Sequence, residues 1–254
     1  YGSLEDEQVE HSIKMTGPGF MLAGSQEKSG RSNIFVMEVT EEGDSIPIGL
    51  NFPNPNAENA TANYLLNTGR DYICVCTFDK AFAQGTDILV LTFREDLSPL
   101  IRKLSGQWDE SGSCLVEEAN NRYLLLGNRN NASGNTEMVV YALEKDGLLV
   151  TSSELVATIG GPNGDLIGKR MTRTPDGSYA IVGTQEVGAD TQMFLQFLSS
   201  GFSVGAPITY GSSGVQAGRD IDVGADGGMI MLGINSFETN SIISLIKTSE
   251  TGDL

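Results

Sequence analysis

Two stretches of the chain carry side chains that could do chemistry. In S-G-Q-W-D-E, Trp108 stands beside Asp109 and Glu110. An indole next to carboxylates can stack on a sugar ring while the acids accept its hydroxyls. Trp108 is the only tryptophan in the chain, so it would equally serve as a plug between packed sheets. The second stretch is the pair of segments around Arg170 and around Arg219, Asp220 and Asp222. Two guanidinium groups and two carboxylates there could hold a polar ligand, or could pair with one another as structural ions. Glu117, Asp220 and Asp222 are also the acids from which a glycoside-cleaving pair could be drawn. That chemistry needs two carboxyls about 5–10 Å apart, one of them with a raised pKa. No local motif joins these acids, so the sequence assigns no catalytic residue.

Other chemistries find little support. His11 is the only histidine, which leaves at most one base for a Ser-His-Asp arrangement and argues against a histidine-built zinc site. The three cysteines cannot make a disulfide framework. Cys74 and Cys76 fall on one face of an expected strand, as buried inert thiols. No metal or cofactor is expected. The chain has 16 Lys and Arg against 33 Asp and Glu, a net charge of −17, which repels phosphate backbones and makes nucleic acid an unsuitable partner. No apolar run reaches the 18 residues of a membrane-spanning helix.

A five-fold internal repeat must position these groups. Met171–Gly183, M-T-R-T-P-D-G-S-Y-A-I-V-G, returns as Ile221–Gly233, I-D-V-G-A-D-G-G-M-I-M-L-G. Each copy reads as an apolar strand, a tight turn and a second apolar strand ending in a small residue. The closing residues are Gly24, Cys76, Gly127, Gly183 and Gly233, at gaps of 52, 51, 56 and 50. Four residues before each stands an aromatic or methionine: Phe20, Tyr72, Tyr123, Tyr179 and Met229. These five are expected at equivalent places in successive sheets. A third apolar strand follows in every copy, and a fourth in four copies, at 46–50, 100–104, 155–159 and 206–210. Four strands per fifty residues predict an all-β fold, a β-propeller of five four-stranded antiparallel blades forming a single domain over residues 1–254. The second strands are apolar on both faces, as sheets sandwiched between neighbours require.

The ends match this repeat. Tyr1-Gly2-Ser3 resembles Tyr210-Gly211-Ser212, and the sequence stops where a fourth strand would begin. Residues 1–3 are therefore expected beside Ile243–Lys247, closing the ring; a longer parent with more blades is the alternative. The long loops share one end of the blades, which becomes the candidate functional face. A ring column is read on the first strands as Ser12, Asn63, Cys114, Arg170 and Asp220.

The pattern T-x-D-G-x-Y/M-x-I/L-x-G, followed by L-I-K-T-x-x-x-G-D, resembles the repeats of exported bacterial β-propeller proteins, often lipoproteins of the Bacteroidetes. It is clearest at Thr174–Gly183 and Leu245–Asp253, whereas the first three copies carry T-G-P-G-F, T-G-R-D-Y and A-N-N-R-Y instead. The resemblance implies export to the periplasm or cell surface and no particular activity. The expectation is thus a monomeric binding or interaction module with a glycan or protein ligand on the long-loop face. Trp108, Asp109, Arg170, Arg219, Asp220 and Asp222 are its candidate site residues. A glycoside hydrolase-like enzyme and a structural scaffold are the alternatives.

Overall fold

The structure is a computed structural model. It describes residues 6–28, 30–48, 59–80, 85–94, 99–104, 106–119, 121–160, 164–211, 213–237 and 240–254. Residues 1–3, expected beside the last sheet, lie outside them. The chain divides into two compact units, one of residues 1–125 and 143–153, the other of 126–142 and 154–254.

In the first unit, β1 (Glu7–Lys14), β2 (Phe20–Glu27), β3 (Ser32–Val39) and β4 (Ser45–Ile48) form one antiparallel sheet. A second sheet repeats the plan with β5 (Ala60–Asn67), β6 (Tyr72–Asp79), β7 (Thr86–Phe93) and β8 (Leu100–Leu104). The third sheet comprises β9 (Glu110–Ala119), β10 (Arg122–Asn130), β11 (Thr136–Asp146) and β12 (Leu149–Gly160), and the boundary between the units passes through it. The second unit holds β13 (Leu166–Arg173), β14 (Tyr179–Val187), β15 (Asp190–Leu198) and β16 (Ile208–Tyr210), then β17 (Val215–Val223), β18 (Met229–Phe237) and β19 (Asn240–Lys247). One parallel pairing, Thr191 with Val215, joins its two sheets. The described residues contain no helix, and so none that could cross a membrane. This is the all-β, β-propeller architecture expected from the repeat.

The tight turns follow the sequence closely. In T-P-D-G-S, the Thr174 amide donates to Ser178 O and the Gly177 amide to Thr174 O, both at 2.9 Å. Gly177 takes φ +84°, a value that favours glycine. Where the third repeat lacks a glycine, Asn121 supplies the left-handed residue at φ +63°.

Sheets pack face to face through the expected apolar columns. Met21, Ala23 and Val36 of the first sheet meet Leu65, Tyr72, Cys74 and Leu91 of the second in one buried cluster. In the second unit, Ala180, Val182, Met193 and Leu195 meet Ile221, Met229 and Met231. Small residues mark the closest approaches. A Cβ on Gly218 would lie 2.6 Å from Val182 Cγ2 and 2.7 Å from Gly183 O. Of the five equivalent aromatic or methionine positions, Tyr72, Tyr123, Tyr179 and Met229 are buried, and Phe20 is 50% exposed. Phe20 holds the same register, opposite Lys14 and Val39. It points to the face of the first sheet that turns away from the second sheet.

The first-strand column needs a correction. Each of four first strands carries a β-bulge at one place: Val9/His11, Ala62/Tyr64, Gly168/Arg170 and Gly218/Asp220. A bulge inserts one residue that the period-two count cannot see. The partners of Arg170 and Asp220 are Val182 and Leu232, and the residues in that place on the earlier strands are His11, opposite Ala23, and Tyr64, opposite Val75. Ser12 and Asn63 are each one position out of register: Ser12 pairs with Leu22, and Asn63 is the inserted residue.

Candidate functional site

In the first unit the end of the second sheet gathers one charged cluster around Trp108. Lys80 follows β6, Asp87 is the second residue of β7, Lys103 lies near the end of β8, and Trp108 and Asp109 precede β9. Asp87 is buried between Lys80 Nζ at 3.6 Å and Lys103 Nζ at 3.2 Å. Lys80 Nζ also donates to Trp108 O at 2.6 Å and reaches Asp109 Oδ1 at 3.5 Å. Lys103 stands over the Phe78 ring, 4.4 Å from its centroid, within cation–π range. Asp109 is held close to Gly85, where any Cβ would fall 1.7 Å from its Oδ1. The peptide of Trp108 is thereby pinned while its ring stays partly exposed. Glu110, the other acid of the motif, is buried and faces Gly106 rather than solvent. The exposed groups are therefore a partly exposed indole, the Asp109 carboxylate and the Lys103 ammonium, a set suited to stacking and hydrogen bonding.

The second predicted group lies in the second unit and is looser. Arg170 is buried and its Nε is 4.0 Å from Asp220 Oδ1, while the Asp220 side chain is 62% exposed. Asp220 accepts the Ile221 amide and Asp222 the Val223 amide, each through Oδ1. Arg219 is the inserted residue of the β17 bulge and is exposed. Arg170 and Asp220 are thus brought together. Glu117 is exposed in the first unit and belongs to neither group.

Sequence reasoning missed a cleft of about 880 Å³ at the tight-turn end of the second unit. Asp176, Asp226 and Glu250 line its rim and Phe197, Leu198 and Met229 its floor. Asp226 is tied to Lys247 Nζ at 2.6 and 2.8 Å. The available signal was the recurrence of an acid at one turn position, Asp176 and Asp226, beside apolar strand ends.

Among the described residues, Asp71, Asp176 and Asp226 are each held below the ordinary carboxylate range. Hydrogen bonds from the Thr174 hydroxyl and the Ser178 amide lower Asp176, and Lys247 lowers Asp226. Burial alone would raise Asp71, but Lys145 and Arg94 outweigh it. A general acid needs the opposite shift. His11 stacks on Tyr64 with ring centroids 4.1 Å apart, and its Nδ1 accepts the Leu65 amide at 3.2 Å. Cys74 and Cys76 are free, fully buried thiols with sulfurs 3.5 Å apart, and burial pushes Cys76 well up.

No family model matches the sequence, and no curated protein is similar to it in sequence. Solved structures share its fold. A protein of unknown function from Dyadobacter fermentans is 12% identical and superposes with a TM-score of 0.69 over 97% of this chain and 80% of its own. A polysaccharide lyase of family PL25, an ulvan lyase, gives 10% identity and a TM-score of 0.65 over 96% of this chain. This chain spans 64% of that lyase, under two thirds of its length. An endo-arabinase from Bacteroides thetaiotaomicron is 14% identical, with a TM-score of 0.52, 99% of this chain and 96% of its own. At these identities the likeness is one of fold.

Proposed function

We propose that the protein is a non-catalytic carbohydrate-binding module of an exported bacterial protein, with its glycan site at Trp108 on the long-loop face. The observation that carries this reading is the partly exposed indole whose backbone is fixed by Lys80 and whose neighbour Asp109 is held against Gly85. A fixed aromatic face beside polar groups binds at low ordering cost. The fold shared with an ulvan lyase and an endo-arabinase supports a carbohydrate ligand. Residues of this repeat type, with the resemblance they carry, support a place in the periplasm or on the cell surface. Lys80 and Lys103 are balanced by Asp87 and Asp109, which favours a neutral glycan over a charged one.

Titration of neutral polysaccharides by calorimetry tests the reading. Trp108→Ala should weaken binding by about 1–3 kcal/mol, the scale of a truncated hot-spot contact, and raising the salt should change little. Unchanged affinity in a folded Trp108→Ala protein refutes the stacking site. The enzyme reading rests on the acids Asp220 and Asp222 and on the fold shared with the endo-arabinase. Release of reducing ends from the same polysaccharides, abolished by Asp220→Asn or Asp222→Asn, would establish it instead.

A further inference from the structure

The cleft at the tight-turn end of the second unit plays no part in the glycan reading. It lies between the β13–β16 sheet and the β17–β19 sheet, and its volume of about 880 Å³ falls in the range of pockets that hold ligands. Phe197 and Leu198 end β15 and Met229 begins β18. Leu198 and Met229 are buried, whereas Phe197 is half-buried and keeps part of its ring accessible. Three carboxylates surround this floor: Asp176 from the β13–β14 turn, Asp226 from the β17–β18 turn and Glu250 from the turn after β19. The described residues that line the cleft include no ammonium or guanidinium group. Lys247 offsets Asp226. Asp176 is met only by the Thr174 hydroxyl and by the amide and hydroxyl of Ser178, which keep it ionised without neutralising it.

The first unit shows what the chain puts against an acid in such a place. There the acid of the β5–β6 turn, Asp71, meets Lys145 near the end of β11 and Arg94 just after β7, each at 2.6 Å. In the second unit Ser199 stands where Arg94 would be, since Leu198 pairs with Tyr179 as Phe93 does with Tyr72. The acid of the corresponding turn, Asp176, shares its cleft with Asp226 and Glu250 instead of with a cation.

We propose that this cleft binds an arginine side chain presented by a segment of a protein partner. A guanidinium lies flat on an aromatic face and bonds carboxylates through a rigid fork; Phe197 offers the face, and Asp176 and Glu250 the acceptors. The cleft is far larger than one guanidinium, and the Ser199, Ser203 and Thr251 hydroxyls along it are partners for the backbone of the segment that carries the arginine. The net charge of −17 draws a basic partner toward it. Trp108 lines no part of this cleft, so this site and the glycan site stand or fall separately.

Amide-resolved NMR titration with the peptide acetyl-Leu-Arg-Leu-amide tests the proposal, beside its citrulline and lysine analogues and acetyl-arginine-amide. The arginine peptide should shift the amides of Gly177, Gly205, Gly227 and Thr251, and should bind more weakly as salt is raised. The citrulline analogue, which keeps the shape without the charge, should bind about tenfold more weakly, the scale of one charge-assisted hydrogen bond. Glu250→Lys, at an exposed position, should weaken the arginine peptide by a similar factor, Phe197→Leu should remove the preference for arginine over lysine, and Trp108→Ala should change nothing. Absence of binding at millimolar peptide, shifts confined to other amides, or equal affinity for the citrulline or lysine analogue overturns the proposal. So does wild-type affinity in a folded Glu250→Lys protein. Acetyl-arginine-amide binding as tightly as the longer peptide overturns the protein partner in favour of a small guanidinium compound. Should Glu250→Lys disturb the spectrum beyond the cleft, Glu250→Gln takes its place in the same titration.

Discussion

Replacing Asp71 with asparagine should destabilise the first unit far more than a turn substitution ordinarily does. Asp71 sits in the T-G-R-D-Y turn between β5 and β6, with its side chain 4% exposed. Lys145 Nζ donates to its Oδ2 at 2.6 Å and Arg94 Nε to its Oδ1 at 2.6 Å. The Lys145 side chain is equally buried, whereas that of Arg94 is 46% exposed. Asparagine keeps the shape and removes the charge, leaving the buried Lys145 ammonium with Gly147 O, at 2.6 Å, as a further acceptor but without its counter-charge. Stranding one member of a buried pair costs about 3–5 kcal/mol. Arg94 can turn to water and adds little. The double variant Asp71→Asn/Lys145→Met removes the stranded charge, and should return to within about 1–2 kcal/mol of wild type, since apolar replacement of a buried pair is often near neutral. Urea unfolding followed by Trp108 fluorescence reads this unit, because the single tryptophan lies in it. A cost for Asp71→Asn below about 1 kcal/mol, or a double variant no better than the single, would refute the reasoning.

Further outcomes follow from other positions. Because the folded state holds the Asp71 carboxyl below its ordinary range, its contribution is full above about pH 4 and is lost as pH falls through the lowered value. The low-pH limb of stability should accordingly flatten in Asp71→Asn. Gly183→Ala should cost about 1–3 kcal/mol by overpacking, since its Cβ would lie 2.0 Å from Ile167 O and 2.8 Å from Phe194 Cε1. Gly17→Ala, with open space around it, should stay within about 0.5 kcal/mol of wild type in the same urea titration. The Tyr123 hydroxyl, pushed up to about 12 chiefly by burial, should remain protonated after the exposed tyrosines have ionised in an alkaline difference-absorbance titration.

The strand plan was legible because each element carried its own local signal. Turn glycines, apolar runs and the small closing residues recur at one offset, and β2, β6, β14 and β18 begin at the aromatic or methionine that marks them. The column of first-strand side chains was not legible, because an inserted residue leaves no compositional trace. Asn63 was read into the column, and the bulge makes it the inserted residue and puts Tyr64 in that place instead. Trp108 and Asp109 stood out by type alone. Their fixing by Lys80, which follows β6 some thirty residues earlier in the chain, is established only on folding. The cleft beside Asp176 and Asp226 was overlooked because short turns suggested a featureless end.

The recurrent bulge also sets a rule for how such a chain can change. A substitution at Lys169 or Arg219 alters one side chain and leaves the ladder in step. Deleting either residue would remove the bulge and leave the pairs that flank it in place, Gly168 with Gly183 and Arg170 with Val182, or Gly218 with Gly233 and Asp220 with Leu232. Deleting Ile167 would instead act as a frameshift in space, carrying Leu166, now buried, to the opposite face of the sheet. These strands therefore accept a change of length at one point each, the bulge, and lose their register to the same change beside it.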